Sequence, residues 1–323
     1  MGFTLTSSHR KYIGYAFLII FIVLIVPVKN YLTPKKLKRD HSRFLDTMEV
    51  APVEYKGEMI IVTFERGADK SGVAESFGRK IVIYDNKNYN KIAEVPWDKG
   101  LGSAIVEDGK LFVFGSSDWS KYNNCIYKVQ LELSGEPRII QEDTVFCAGK
   151  NKRIFNSSVA KAKNGFVIAY EEDENKTNVF YTAFLKSESL LDFENLNINF
   201  RKGTYTACPT IRYSNGYYHL FFLDRTQFED GSKRYTTKMS FAKELQSLSE
   251  DDLTVVLDPK FGLSNNNSDF DLVEYDGSTY LFYAESDQQT WAKVYTAIFN
   301  DSEEQFLKFL RESEALEVNN REH

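Results

Sequence analysis

Two aspartates stand close together in the stretch SDFDLVEYDGSTYLFY, residues 268–283. Asp269 and Asp271 are two positions apart, so a β-strand would place both on one face. A buried strand face normally carries Val or Ile, and a carboxylate there needs water or a partner. Asp residues at a strand entrance also cap turns and bind backbone amides. A structural and a chemical interpretation of this pair are therefore both open.

Similar polar residues flank other apolar stretches of the chain. Hydrolysis of a glycosidic bond requires two carboxyl groups, one that donates a proton and one that acts as nucleophile or base. We predict four catalytic carboxylates: Asp269, Asp271, Glu171 and Glu49. The predicted substrate-binding residues are Asn156, Asp98, Asp224, Arg225, Trp291 and Gln288.

Several of these residues have an equally simple structural interpretation. Glu171 would form a salt bridge at the rim, Arg225 would pair with Asp224 or Glu229, and Trp291 would belong to the core. His219 lies inside an apolar strand, and we predict that it is a core histidine with a hydrogen-bond partner.

The chain contains one pattern five times: a strand, a tight turn that ends in Gly, and a strongly apolar second strand. The turn glycines recur every 51 to 61 residues, at Gly57, Gly109, Gly165, Gly216 and Gly277. A third strand candidate follows each copy, and the first four copies leave room for a fourth strand. Four strands per unit, with second strands apolar at nearly every position, are typical of propeller blades buried between neighbours. The sequence therefore predicts an all-β fold, a five-bladed β-propeller.

A propeller brings the distant polar residues together, because the first strand of every blade lines the central channel. The segments that enter these strands meet at one mouth of the channel and form a common pocket. The fifth unit has no fourth strand of its own, and we expect residues 44–50 to supply it and close the ring.

The regions that flank the repeats divide the chain further. Residues 12–28 are uncharged, strongly apolar and long enough to span a bilayer, which predicts one transmembrane helix before the propeller. A cleaved signal peptide is the alternative, but this apolar run is longer than usual and no cleavage site follows it. The predicted domains are a tail (1–11), the membrane anchor (12–28), a tether (29–43), the propeller (44–302) and a C-terminal helix and tail (303–323).

The orientation of this single-pass protein is predicted from opposing signals. The basic residues that follow the span, such as those in KKLKR at 35–39, favour a cytosolic propeller. Four N-glycosylation sequons, at Asn156, Asn175, Asn266 and Asn300, favour the exoplasmic or lumenal side. We expect a glycoprotein with its propeller on the exoplasmic or lumenal side.

Composition restricts the partners and cofactors. The net charge of −6 and the pI near 5.5 give the propeller no basic surface for nucleic acid. Three cysteines and four histidines show no metal-ligand spacing, so we predict no metal site and no cofactor. A structural divalent cation among the channel carboxylates remains an alternative. Cys125 and Cys147 would form a disulfide in an oxidising compartment, although their apolar contexts favour buried thiols.

Three stretches resemble a known group of enzymes: FNSSVAKAKNGFVIAYEE, ACPTIRYSNGYYHLFFLD and NNNSDFDLVEYDGSTYLFYAESDQQTW. They are similar to blades of the five-bladed propellers related to glycoside hydrolase family 43, which include arabinanases, xylosidases and invertase-like enzymes. The resemblance covers about residues 48–310 and implies three acids around the channel. These are an Asp base on the first blade, an Asp that tunes pKa, and a Glu acid that commonly precedes Gly-Pro.

Two of the three implied acids are missing from their places. Ala51 precedes Pro52 where the first-blade Asp would stand, with Glu49 two residues earlier, and Ala207-Cys208-Pro209 replaces Glu-Gly-Pro. The sequence therefore predicts a membrane-anchored propeller that acts on or binds a glycan or glycoconjugate in its channel. The alternative is a non-catalytic carbohydrate-binding or protein-interaction propeller.

Overall fold

A computed structural model describes residues 37–64, 80–117, 124–175, 177, 179–259, 264–287 and 291–312. These residues form five antiparallel four-stranded sheets, ordered β2-β3-β4-β5, β6-β7-β8-β9, β10-β11-β12-β13, β14-β15-β16-β17 and β1-β20-β19-β18. The inner strands of successive sheets contact each other around a closed ring, and β18 of the last sheet contacts β2 of the first. The prediction of a five-bladed β-propeller is confirmed.

The bounds of the twenty described strands follow the predicted repeat, in which each Gly turn joins the first strand of a blade to the second. The strands are β1 (Leu37–Leu45), β2 (Val50–Tyr55), β3 (Glu58–Phe64), β4 (Lys80–Asp85), β5 (Lys91–Pro96), β6 (Lys99–Glu107), β7 (Lys110–Ser117), β8 (Cys125–Glu132), β9 (Arg138–Cys147), β10 (Lys152–Ala162), β11 (Gly165–Glu174), β12 (Tyr181–Ser187), β13 (Glu194–Phe200), β14 (Thr206–Ser214), β15 (Tyr217–Gln227), β16 (Lys233–Ala242), β17 (Thr254–Leu257), β18 (Asn267–Tyr275), β19 (Ser278–Ser286) and β20 (Ala292–Phe299). Among the described residues, the helices are a short 3₁₀ helix, Leu245–Ser247, and α1, Glu303–Glu312.

The turn glycines serve the hairpins that join first and second strands. In four blades the turn is a dipeptide such as Asp276-Gly277, whose φ angles of 48° and 69° are both positive. This geometry matches the right-handed twist of the flanking strands. In the third blade Gly165 already begins β11, and a Cβ atom there would meet the carbonyl oxygen of Ser187 at 2.1 Å. Glycine is required at this position because the neighbouring backbone is too close for a side chain.

The second strands form the apolar walls between blades. Residues 59–64 of β3 and 220–223 of β15 are buried without alternation, since each sheet packs against a neighbour on both faces. The resulting core clusters each combine residues of two adjacent blades. The core is therefore divided into five wedges around the channel.

Hydroxyl side chains join the inner strands across the channel wall. Ser103 Oγ of β6 accepts the N–H of Val159 at 3.1 Å, and Ser158 Oγ of β10 accepts the N–H of Ile211 at 3.1 Å. Thr210 continues the series by donating its hydroxyl to the carbonyl of Phe270. These bonds fix the register of one blade against the next and leave few buried backbone groups unpaired.

The ring closes through an N-terminal strand, but an earlier one than expected. β1 supplies the outer strand of the last blade, and Leu37 pairs with Phe299 while Leu45 pairs with Val294. Residues 37–43, which the sequence assigned to the tether, therefore belong to the propeller, so the boundary at 44 is corrected. The sequence pattern did not indicate this strand, because the buried position 39 carries an Arg instead of an apolar residue. The guanidinium of Arg39 is buried beside Glu285.

The C-terminal helix packs on the propeller. Phe306, Leu307 and Leu310 of α1 are fully buried, and they extend the core cluster shared by the fourth and fifth blades. Arg311 donates a hydrogen bond of 2.7 Å to Nε2 of His219. Burial and then the charge of Arg311 lower the pKa of His219 to about 3, so this histidine is neutral and lies in the core.

Cys125 and Cys147 form a disulfide bond between the paired strands β8 and β9. The expectation of two buried thiols is therefore wrong for this pair. Both residues retain exposure to solvent, because they lie at the edge of the second blade and not in its core.

Within the described ranges, no helix combines the length and the apolar character that a bilayer crossing requires. The predicted anchor at 12–28 lies outside the described residues, and so does Gln288.

Candidate functional site

A backbone irregularity marks the channel end of four inner strands. Each interrupts its pairing with the second strand at the same level, between Gly100 and Ser103 and at three further positions. The extra residues in the third, fourth and fifth blades have positive φ: Asn156 (27°), Cys208 (47°) and Asp269 (49°). Bulges of this type redirect a side chain, and here they bring equivalent residues of three blades to one place.

These residues line a small cavity on the propeller axis, with a volume of about 30 Å³. This is room for one or two water molecules. Its walls come from all five blades and are predominantly polar. The lining includes Glu49, Gly102, Ser103, Asn156, Ser157, Ser158, Cys208, Thr210, Asp269 and Asp271.

Glu171 is a buried acid at this site with a strongly raised pKa. It lies at the channel end of β11, is 2% exposed, and accepts a hydrogen bond from the side-chain amide of Asn156. Burial raises the pKa of Glu171 to about 8, and the charges of Asp269 and Glu49 add to the shift. Hydrogen bonds from Asn156 and from the backbone of Cys208 oppose it. Glu171 is therefore mostly protonated at neutral pH and is able to donate a proton.

Asp269 and Glu49 face the same cavity from the fifth and first blades. Asp269 accepts a hydrogen bond of 2.6 Å from the hydroxyl of Ser268, while Glu49 is 4% exposed at the entry to β2. Their charges act on Glu171, which places the three carboxyl groups within electrostatic range of one another. Like charges repel strongly in a buried site, so these two neighbouring acids favour the protonated form of Glu171.

Asp271 has a different environment from Asp269, although both line the cavity. Arg212 donates to Oδ1 of Asp271, and the N–H of Leu272 donates to the same oxygen at 2.8 Å. Burial raises the pKa of Asp271, and the positive charge of Arg212 opposes this shift. Its contacts are those of a buried ion pair that ties the inner strands of the fourth and fifth blades together.

Cys208 belongs to the site, a position that the sequence did not indicate. Its Sγ lies 3.7 Å from the amide nitrogen of Asn156, and Asp269 forms a further hydrogen bond with it. Burial, followed by the charges of Asp269 and Glu171, holds the pKa of the thiol well above its usual value. The thiol is therefore not an activated nucleophile. Alignment of Cys208 with Asn156 and Asp269 in their repeats is the signal that would have identified it.

The predicted substrate-binding residues are distributed differently. Asn156 lies in the cavity, whereas the side chain of Asp98 is 78% exposed and pairs with Lys99. Trp291 is 37% exposed outside the cavity lining, and its backbone N–H donates to Asp287. The bulge in β6 explains the position of Asp98, since it presents Gly102 and Ser103 to the cavity instead.

Asp224 and Arg225 face opposite sides of β15. Asp224 is buried and accepts from Arg201 at 2.8 Å and from Lys238 at 2.6 Å. Burial opposes ionisation, but these two cations lower the pKa of Asp224. Arg225 instead lies over the ring of Tyr205, with its guanidinium carbon 4.4 Å from the ring centroid. Asp224 therefore does not neutralise Arg225.

Metal ligation finds no support in the described part of the chain. No group of three or more His, Cys, Asp or Glu side chains there has an arrangement that would hold a metal ion. The carboxyl groups at the cavity are thus described by hydrogen bonds and mutual charge effects.

Comparisons with known proteins identify the fold through structure. No protein-family model matches the chain, and no curated protein sequence matches it. Among solved structures, an exo-1,5-α-L-arabinanase from a bovine ruminal metagenomic library is 10% identical, with a TM-score of 0.55 over 79% of this chain and 94% of that one. A GH43 endo-arabinanase from Bacillus licheniformis gives 11% identity and a TM-score of 0.54 over 79% and 94%.

A GH32 β-fructofuranosidase from Bombyx mori is also similar, at 14% identity and a TM-score of 0.54. The match covers 84% of this chain and 64% of the enzyme's chain. Identities this low show a common architecture and leave the activity open. The chain has the five-bladed β-propeller fold that is found in these arabinanases and in this β-fructofuranosidase.

Proposed function

We propose that the propeller binds a glycan at its central cavity and hydrolyses a glycosidic bond. Glu171 is the proton donor, and Asp269 is the base or nucleophile, with Glu49 beside it. The observation that carries this proposal is the cluster of carboxyl groups at the cavity: buried Glu171 is hydrogen-bonded by Asn156 of the cavity lining, and the charges of Asp269 and Glu49 act on it and contribute to its raised pKa of about 8. A carboxylic acid held neutral at pH 7 beside ionisable carboxylates is the requirement for protonating a leaving-group oxygen.

The architecture supports this proposal. The solved structures that share it include enzymes named as arabinanases and as a β-fructofuranosidase. In this chain the acids come from the first, third and fifth blades, so the proposed machinery differs in position from the arrangement that the sequence resemblance implies. No cofactor takes part in the proposed reaction.

A non-catalytic carbohydrate-binding propeller is the second candidate. Two observations favour it: the cavity has room for one or two water molecules, and Ala207 stands where the resemblance implies a Glu acid. In this case the sugar would be held at the mouth by polar groups, and the buried acids would only shape the floor of the site.

One experiment separates the two candidates. The full-length chain and its E171Q variant are applied to a glycan array and incubated with a panel of chromogenic glycosides. Turnover by the wild type that is lost in E171Q, with retained glycan binding by both, supports hydrolysis. Binding without turnover by either protein supports the binding module, and the absence of both binding and turnover overturns the proposal.

We also propose that residues 12–28 anchor the protein in a membrane, with the propeller on the exoplasmic or lumenal side. The uncharged apolar run supports the anchor, and the Cys125–Cys147 disulfide supports an oxidising compartment. Asn175 and Asn300 are exposed sequon residues, whereas Asn266 is fully buried. Translation with microsomes should give a carbonate-resistant, protease-protected chain that is glycosylated at Asn175 and Asn300. A propeller digested without detergent would contradict this orientation.

A further inference from the structure

The hairpin of β15 and β16 carries a cationic residue beside the cavity that the proposed chemistry does not use. Arg225 lies over the ring of Tyr205 and is paired in register with Tyr235 on the neighbouring strand. Tyr205 is fixed in turn by edge contacts with Phe180 and Tyr235, at centroid distances of 5.8 Å and 6.0 Å. The guanidinium plane is therefore held by a rigid aromatic platform.

The platform adjoins the proposed catalytic acids. Burial and then the charges of Cys208 and Glu171 raise the pKa of Tyr205 well above its usual value, so the phenol is close to both groups and stays protonated. Thr206 pairs with Asp224 in register, so Tyr205 and Arg225 lie at the same end of the β14–β15 pair, and Tyr205 is three residues before Cys208 of the cavity lining. A sugar unit that contacts Glu171 would have a neighbouring unit, or a ring substituent, within reach of Arg225.

Arg225 has no acidic partner among the described residues. No carboxylate there lies within ion-pair distance of it, and the adjacent Asp224 is already bound by Arg201 and Lys238. Arg225 is partly exposed, so its N–H groups remain accessible at the rim. A guanidinium with accessible N–H groups can donate two parallel hydrogen bonds to one carboxylate.

We propose, resting on the glycan proposal above, that Arg225 and Tyr205 form a subsite for the carboxylate of an acidic glycan. The sugar class is a uronate or another carboxylate-bearing sugar, bound with its carboxylate on Arg225 and its adjoining glycosidic bond towards Glu171. The protonated state of Glu171 reduces the repulsion that an anionic ligand would meet at the cavity. Asp224 is neutralised by its two cations and adds no net repulsion.

The test uses matched glycan pairs that differ in the carboxylate alone. The full-length protein is applied to oligogalacturonides and their methyl esters, glucuronoxylo-oligosaccharides and xylo-oligosaccharides, and sialyllactose and lactose. Sulfated oligosaccharides and polyglutamate are added as other anions. We expect at least one acidic member to bind about tenfold or more tightly than its neutral counterpart, as a charged hydrogen-bond pair would give.

Two variants assign the preference to this subsite. R225Q should abolish the difference between acidic and neutral members. R234Q is the matched control, because Arg234 stacks on the exposed Phe228 of the same hairpin at 5.1 Å. This variant should keep the preference.

The outcomes separate the subsite from the function on which it rests. Equal binding of acidic and neutral glycans, a preference for sulfated members, or a preference that survives in R225Q overturns the subsite and keeps glycan binding. Arg225-dependent binding of polyglutamate, with no glycan bound, overturns the glycan proposal and the sugar class together, although the anion contact would remain. No binding of any probe overturns both proposals.

Discussion

Three consecutive acids on β11 have opposite environments. Glu171 faces the channel, where Asn156 and two further acids surround it. Glu172 and Asp173 are equally buried, but they lie in the wall of the third blade and have cationic partners. Glu172 accepts from Lys152 at 2.6 Å and from the hydroxyl of Tyr181, while Asp173 binds Arg153 and the N–H of Thr177.

The difference shows how one residue type performs two tasks. In the wall every buried charge is compensated, which is the condition for keeping it in a folded core. At the channel, no Lys or Arg of the described residues forms an ion pair with Glu171, so its carboxyl group takes up a proton instead. Under the proposed function, the wall residues serve stability and Glu171 serves chemistry. Each prediction below tests this division.

Substitution of Glu171 should separate activity from stability most clearly. E171Q removes the proton donor, and we expect kcat on a cleaved glycoside to fall by about 10²–10⁴-fold. The midpoint of chemical unfolding should stay the same or rise, because a neutral amide replaces a carboxyl group that is costly to ionise. The control is E172Q, which should lower the unfolding midpoint and retain turnover per folded molecule. Retained turnover in E171Q would contradict the role of Glu171 as proton donor.

Substitution in the wall should have the reverse effect. D173N leaves Arg153 without its buried carboxylate, and removal of one partner of a buried pair costs about 3–5 kcal/mol. The free energy of unfolding, measured by urea titration of the full-length chain, should fall by this amount. The fraction that remains folded should bind glycan as the wild type does. An unchanged free energy of unfolding would contradict the structural role assigned to Asp173.

The two aspartates of β18 test the same division over a shorter distance. D271N should lower the free energy of unfolding by about 1–3 kcal/mol, because Arg212 loses a charged acceptor. D269N should lower kcat and leave the free energy of unfolding near that of the wild type. Chemical unfolding and glycoside turnover are compared for both variants. Loss of turnover in folded D271N would move the base from Asp269 to Asp271.

The pH dependence should report the proton on Glu171. We expect activity to fall as pH rises through about 8, because the donor is then ionised. The amide of Asn156 stabilises the carboxylate, so N156A should raise the pKa of Glu171 and move this alkaline limb to higher pH. The matched measurement is the carboxyl ¹³C shift of Glu171, which follows the same titration without substrate. If the alkaline limb of N156A moved to lower pH, the hydrogen bond from Asn156 would not stabilise the carboxylate of Glu171, which would contradict this prediction.

Much of the architecture was predictable because it is repeated. The five Gly turns and the unbroken apolar second strands require alternating blades whatever the local details. The first strand of the chain was placed too late, since its burial depends on Arg39 and Glu285, an ion pair that has no apolar pattern. Hydrophobic periodicity identifies strands whose buried side chains are apolar, but it does not identify strands whose buried side chains form ion pairs.

The location of the site was predictable from the sequence, but the full set of its residues was not. Inner-strand entrances converge in any propeller, so Glu49, Asn156, Asp269 and Asp271 were correctly expected near one another. Their roles depend on features that sequence spacing does not show. The positive-φ bulges turn Cys208 towards the cavity, and the bulge of β6 leaves Asp98 at the surface.

The ring closure also sets the order in which the molecule can be completed during translation. Of the described strands, β1 is synthesised first and β20 last, although Leu37 must pair with Phe299. Each hairpin can form from neighbouring residues, but the nascent chain carries one unsatisfied edge strand until synthesis is nearly finished. A truncated chain that lacks β20 would therefore form an open ring with two strand edges whose backbone groups are unpaired.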